Sequence, residues 1–171
     1  MIKIVQKEDE VLRKISKDID IKSLSSSKIK KIIEDMKQAL SEQDDGVAIA
    51  APQIGILFRL FVVSGRVFGQ KRNLPDVVFI NPKIIKISKD KKSVPEGCLS
   101  VRWLYGKTKR ASKVSIEALN EDGKQFTYNG SGLMAQIFQH EIDHLDGILF
   151  TDHAKYIKEM PPQSDDRKPK Q

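Results

Sequence analysis

Between residues 28 and 40, Ile29, Ile32, Ile33, Met36, Ala39 and Leu40 fall at offsets of three and four with lysines and acids between them. That period predicts an amphipathic helix. Ser25, Ser26 and Ser27 precede it as cap candidates. Downstream the pattern shortens. Residues 47–51, 60–63, 77–80 and 84–87 are brief runs rich in branched or aromatic side chains, and each predicts a strand, the first entered through the turn Asp44-Asp45-Gly46. Residues 114–119 alternate apolar and polar positions, Asn120-Glu121-Asp122-Gly123 is turn-forming, and 124–128 pairs back as the second arm of a hairpin. A second helix is expected from about 131 to 146, with Gly147 placed to stop it in a left-handed conformation.

Composition narrows the class without naming the chemistry. A chain of 171 residues, 39% hydrophobic and 31% charged, suits one folded domain over 1–160. Residues 161–171, with three prolines and otherwise charged or polar positions, have nothing to bury and are expected to form a disordered basic tail. No apolar run approaches a membrane span, and the early charges at Lys3 and Lys7 do not suit a signal peptide, so a cytoplasmic and bacterial home is expected. The single cysteine, Cys98, has no partner for an internal disulfide and must be a buried hydrophobe, a free thiol or a ligand. The net charge of +7 raises nucleic acid, but the lysines are scattered along the chain without an aromatic-interleaved basic stripe. A solvated surface is the expectation, with no specific nucleic acid and attraction to a ribosome as the weaker reading.

The densest chemistry lies in Gln139-His140-Glu141-Ile142-Asp143-His144. Residues four apart on a helix sit one turn above each other, so His140 and His144 can grip one ion, and Glu141 is placed to take a proton from water activated there. Leu133 and Ile137 precede the histidines on the same face, as plain core or as the apolar wall that an unbranched substrate side chain needs. A hydrolytic site takes a third protein ligand. Asp152 and His153 qualify by type but lie beyond the Gly147 break. Cys98 is better placed, because Gly97 in Glu96-Gly97-Cys98-Leu99-Ser100 lets the backbone turn a sulfur toward an ion.

Three blocks in order, Gly46-Val47-Ala48-Ile49-Ala50-Ala51-Pro52-Gln53, Glu96-Gly97-Cys98-Leu99-Ser100 and Gln139 to Gly147, make the chain resemble the peptide deformylases over residues 4–153. The resemblance implies an α+β fold in which antiparallel β-sheets surround a central metal-binding helix, with Cys98 delivered from a neighbouring strand. It implies one divalent metal ion on Cys98, His140 and His144, Fe2+ in the cell with Zn2+, Ni2+ or Co2+ as substitutes. Glu141 handles protons, and Gln53 with the backbone N–H of Leu99 supplies oxyanion donors. The implied reaction is removal of the formyl group from the N-terminal formylmethionine of newly made polypeptides, releasing formate, by a monomer acting on N-formylmethionyl peptides and nascent chains. Leu133, Ile137, Val94 and Val47 are expected to form the methionine slot, and peptide beyond it to pair with strand edges flanking Gly46 or the Glu96-Gly97 pair.

The chain departs from that pattern in places. Ala48 stands where a second glycine is usual, so its methyl either narrows the cleft or bars a glycine-only backbone angle, and altered handling of peptide is expected. Arg102 replaces a proline, and Glu8 and Glu10 replace prolines near the amino terminus. Glu96 and Arg110 are expected to hold the cysteine loop as an ion pair, with Asp143 a structural acid. Two rivals stand beside this reading: a zinc metallopeptidase of the His-Glu-x-x-His type, which draws its third ligand from downstream of the helix, and a weakly active or inactive relative that binds peptide or ribosome.

Overall fold

Helix α1 (Ser27–Ser41) opens where the Ser26 hydroxyl accepts from the Ile29 N–H, and it buries Ile29, Ile32, Ile33, Met36, Ala39 and Leu40, the stripe marked by the periodicity. In the computed structural model, which describes residues 2–69 and 74–162, this helix packs on one face of a five-stranded antiparallel sheet. The sheet contains β1 (Ala48–Ala50), β2 (Leu60–Val63), β3 (Val77–Ile87), β6 (Lys113–Leu119) and β7 (Gln125–Ser131), in the order β1-β2-β3-β6-β7. Of the expected tail, residues 163–171 lie outside the described residues.

The strands expected at 77–80 and 84–87 are one strand. Asn81-Pro82 has the composition of a turn, yet the chain passes through it as an irregularity, with register shifts against β6 between Ile80 and Lys83 and between Ile84 and Lys86. Asn81 takes φ 48°, which asparagine tolerates better than most residues, and its amide bonds both the N–H (2.8 Å) and the C=O (2.9 Å) of Ile19. Proline, which cannot donate to a ladder, is confined to such breaks or to edges.

A second sheet, in the order β4-β5-β8, contains β4 (Lys91–Gly97), β5 (Leu104–Ala111) and β8 (Lys155–Glu159). Its strands are rich in lysine and glycine and carry a proline, so no apolar alternation announced them; the ladder holds them together by backbone pairing from Lys91↔Ala111 to Gly97↔Tyr105.

Helix α2 (Leu133–Leu145) sits between the sheets. On the side of the large sheet Phe138 meets Phe79 edge-on with ring centroids 5.2 Å apart, and Phe79 stacks on Phe61 at 4.6 Å. Gly130 of β7 makes room for this packing, since a Cβ there would lie 2.8 Å from the Phe138 ring. On the other side Gln139 bonds the N–H (2.9 Å) and the C=O (3.0 Å) of Ala111 in β5. The helix is thereby fixed in rotation, which decides where its histidines point. Among the described residues no helix is long and apolar enough to cross a membrane.

Gly147 ends α2 at φ 75°, as its position after the periodic segment implied, and a Cβ there would fall 2.7 Å from the carbonyl oxygen of Arg13. The obstacle is backbone and does not rotate away. Gly147→Ala is expected to lower the unfolding free energy by about 2–3 kcal/mol through the left-handed angle and the clash together, read as a drop in the denaturant midpoint at unchanged m-value.

Candidate metal centre

Strand β4 ends at Gly97, where any side chain would drive a Cβ to 2.8 Å from the Tyr105 ring. Glycine therefore lets the next residue, Cys98, swing toward α2. Its Sγ lies 3.2 Å from His144 Nε2, and ligand atoms of Cys98, His140 and His144 all fall within 4.8 Å of one another. A tetrahedral ion with bonds of roughly 2.0–2.3 Å holds its ligands about 3.3–3.8 Å apart, so one sulfur and two imidazole nitrogens converge at a separation suited to a divalent cation.

The surroundings orient this donor set. Nδ1 of His140 lies 3.3 Å from Glu96 Oε1, which turns Nε2 toward the cluster. Glu96 is gripped in turn by Arg110, from Nε at 3.2 Å and from Nη2 at 2.9 Å, and Arg110 Nη1 reaches Asp143 on α2 at 2.7 Å. Burial alone raises the Glu96 pKa, but hydrogen bonds from His140 and Arg110 outweigh it and hold the carboxyl down to about 2. Burial opposes the charged form of His140, yet Cys98 and Glu96 together draw a proton onto the ring and place its pKa well above the ordinary value. A cation bound by the same atoms would take that proton's place. His144 is shifted the other way, by burial and by the charge of His140, and a neutral ring is what a metal ligand requires. Its Nδ1 is buried without a hydrogen-bond partner among the described residues.

Glu141 is buried, and its Oε2 also lacks a partner there. Burial is the main cause that pushes its pKa up to about 7, with the His140 charge opposing and Glu96 adding to the rise. Gln53 lies on a short 3-10 helix (Ala51–Ile54), where Oε1 accepts from the Ala50 N–H at 2.8 Å. Its Nε2 donates to Ser100 Oγ at 3.2 Å and lies 3.7 Å from Cys98 Sγ, so the same side chain both ties the turn and aims its amide at the cluster. Val101 N–H bonds Cys98 O at 3.1 Å, which fixes the peptide plane carrying the Leu99 N–H, and that N–H donates to no group among the described residues. An unannounced contributor is Gln6. Its Nε2 donates to Leu99 O at 3.1 Å and its Oε1 accepts from Arg102 N–H at 3.3 Å, pinning the cysteine loop from the amino-terminal segment. An isolated glutamine near a chain start carries no sequence signal for such a role.

A cavity of about 340 Å³ opens onto the cluster. Gly46, Val47 and Ala48 line one wall, Glu96 and Gly97 the other, and Leu133 and Ile137 lie beside His140 and Glu141. Val94 does not line it; it stands opposite Thr108 in the β4-β5 ladder, two residues before Glu96. The backbone reading of Ala48 fails as well. Among the described residues only Asn81 and Tyr156 are non-glycine positions with positive φ, and Ala48 is an ordinary residue of β1, so its methyl acts by volume alone. Asp152 is held by Arg13 at 2.6 and 3.0 Å, and His153 lies 3.5 Å from Asp143; neither joins the cluster.

Comparison with known proteins agrees with this geometry. The profile of the family described as polypeptide deformylase matches residues 1–160. The chain is 47% identical over 153 residues to peptide deformylase 2 of Clostridium acetobutylicum, covering 88% of this chain and 94% of that one. Among solved structures it is similar to the actinonin complex of the Synechococcus elongatus peptide deformylase, with 32% identity, a TM-score of 0.81 and coverage of 91% and 81%. It is also similar to the class I type b peptide deformylase of Acinetobacter baumannii bound to Met-Ala-Ser, with 31% identity, a TM-score of 0.81 and coverage of 90% and 99%.

At the mouth of the cavity, Arg102 joins the two walls. It bonds Asp45 through both nitrogens at 2.5 and 3.1 Å and Gln43 at 2.9 Å, with its guanidinium 4.8 Å from the Trp103 ring. A bidentate fork of this kind is stronger than an ordinary surface pair. Arg102→Met and Asp45→Asn are each expected to lower stability by about 0.5–1 kcal/mol, and the double variant by no more than either alone, in a denaturant double-mutant cycle.

Proposed function

The chain belongs to the polypeptide deformylase family, a hydrolase that removes the formyl group from N-terminal methionine, and we propose that Cys98, His140 and His144 hold its divalent metal ion. The observation that carries this assignment is the convergence of those three side chains beside a buried Glu141 at the end of an open cavity. The membership favours deformylase activity over both rival readings, the peptidase and the inactive relative. The peptidase lacks its downstream ligand as well, since Asp152 and His153 are engaged elsewhere.

When bound, the ion supplies Lewis-acid activation of water and of the formyl oxygen. Glu141 takes the proton from the attacking water at its Oε2 and delivers it to the departing amine nitrogen. Gln53 Nε2 and the Leu99 N–H donate to the formyl oxygen as negative charge builds on it, without adding a net charge to compete for the metal. Leu133, Ile137 and Val47 receive the methionine side chain. The peptide main chain lies between Gly46-Val47-Ala48 and Glu96-Gly97; β1 and β4 are each the edge of their sheet, which supports pairing with an extended peptide. One sulfur with two imidazoles suits several divalent ions, and ferrous iron is the proposed occupant in the cell. The proposed setting is the bacterial cytoplasm, where a monomer, one catalytic domain over residues 1–160, meets nascent chains at the ribosome surface.

Formate release from a short formyl-methionyl peptide by anaerobically prepared enzyme tests the reading. Glu141→Ala should lower kcat/KM by about 10²–10⁴-fold with metal retained, and equal rates in both proteins would remove Glu141 from the mechanism. Cys98→Ala should lose the metal on dialysis while Asp152→Ala keeps it, measured by elemental analysis. Ala48→Gly, which deletes a methyl from the cavity wall, should raise kcat/KM for peptide substrates by several-fold with unchanged metal content; no gain would show that the methyl leaves the cleft wide enough.

A further inference from the structure

We propose that Arg66 is a positioning residue for the reaction, one that fixes from behind the cavity wall formed by Gly46, Val47 and Ala48. Helix α1 ends without a basic residue in its last turn, so its terminal carbonyls have no cation of their own. Arg66 supplies one from another part of the fold. Its Nη2 donates to the carbonyl oxygens of Gln43 (3.0 Å), Leu40 (3.4 Å) and Gly46 (3.4 Å), and its Nη1 to that of Asp44 (3.3 Å). The Asp44 and Gly46 carbonyls receive no other donor among the described residues. One planar fork therefore gathers the turn that links α1 to β1, a span that the compact ammonium of a lysine does not cover. Among the described residues Arg66 makes no salt bridge, which leaves these oxygens as the partners of its terminal nitrogens.

The base of that side chain is itself tied down. Arg66 stands on a short 3-10 helix (Gly65–Phe68) after β2, and the Ser64 hydroxyl accepts from both its backbone N–H (3.3 Å) and its Nε (3.2 Å). Ser64 is buried, and its own N–H donates to Val47 O at 2.8 Å, so the support is joined to the wall that it supports. The Gly65 N–H donates to Asp76 Oδ1 at 2.9 Å, and a Cβ at Gly65 would fall 1.8 Å from the carbonyl oxygen of Leu74. Arg102 holds the same turn differently. It comes from the opposite wall and takes only side-chain oxygens, those of Asp45 and Gln43, so it ties the walls together, whereas Arg66 fixes the main chain. The inference rests on the reading above that substrate main chain lies along Gly46-Val47-Ala48. A wall displaced by about 1 Å misaligns a peptide held against it. The cluster of Cys98, His140 and His144, carried by the cysteine loop and α2, would keep its geometry.

The test compares formate release by the full-length, metal-loaded enzyme from N-formylmethionine amide and from formyl-Met-Ala-Ser. Arg66→Met should raise KM for the tripeptide about five- to tenfold, with kcat and metal content within about twofold of wild type and kcat/KM for the amide little changed. Arg66→Lys should recover part of the loss, since it keeps a charge at the helix end but reaches fewer carbonyls. Ser64→Ala, which keeps the guanidinium and removes its support, should give a smaller rise of the same kind. Amide hydrogen exchange reads the wall without turnover: exchange over residues 43–48 should quicken in Arg66→Met while that over 133–145 is unchanged. Equal losses for the two substrates, a fall in kcat accompanied by loss of metal, or wild-type exchange over 43–48 would each overturn the proposal. Absence of formate from the wild type with both substrates would instead sink the catalytic reading, and the exchange measurement would still decide whether Arg66 fixes the wall.

Discussion

The arrangement of the site depends on one buried guanidinium. Arg110 reaches Glu96 on the neighbouring strand with two nitrogens and Asp143 on α2 with a third, so that one side chain joins β4, β5 and the central helix. A buried charge of this kind is tolerable only when its partners satisfy it, and removing one partner typically costs about 3–5 kcal/mol because the remaining charges stay buried and unpaired. Arginine suits the position because its planar fork fixes direction as well as distance, which lysine would not do. The consequence runs directly to the proposed metal ligands. Glu96, immobilised by Arg110, orients the His140 ring through Nδ1, and two residues further on Cys98 is released into the cluster by the turn at Gly97.

The same construction explains how a polar site survives inside a small core. Glu141 and His144 are buried with side-chain atoms left unpartnered among the described residues, an expensive condition in an apolar interior. The cost is carried by the packing around α2, where Phe138, Phe79 and Phe61 fill one side and the Gln139 amide closes on Ala111 on the other. Stability generated on those two faces holds the third in a geometry that local chemistry alone would not favour. A helix able to roll by a few degrees would relieve the buried carboxylate and lose the convergence of the histidines.

Legibility in the sequence followed the kind of signal each element carries. Helix α1 was plain because burial of one face demands a 3.6-residue period, and the histidine segment because ligand spacing on a helix leaves few alternatives. Strands β4, β5 and β8 have polar, lysine-rich sequences stabilised by ladder pairing over a long separation, so their own residues announce nothing. The split expected within β3 shows the converse error, since Asn81-Pro82 has turn composition but forms only an irregularity within one strand, with the Asn81 side chain tied to the backbone of Ile19. At the site, the convergence of Cys98, His140 and His144 was readable because chemistry restricts residue type. Val94 was misassigned because alternation along β4 turns it toward Thr108, while the support from Gln6 depended on an encounter that spacing does not encode.

Charge followed the same rule. Along the chain the lysines look dispersed, and a linear search for a basic stripe interleaved with aromatics fails. Folding sets Lys155 opposite Lys107 and Lys158 opposite Tyr105 although these segments lie far apart in the sequence, so that grouping of lysines exists only across the ladder. Two features of that strand pair do not favour folding: Lys107 set directly opposite Lys155, and Tyr156 at φ 55° and 77% exposed. Each opposes the stability of β8, a short edge strand that buries none of its five residues.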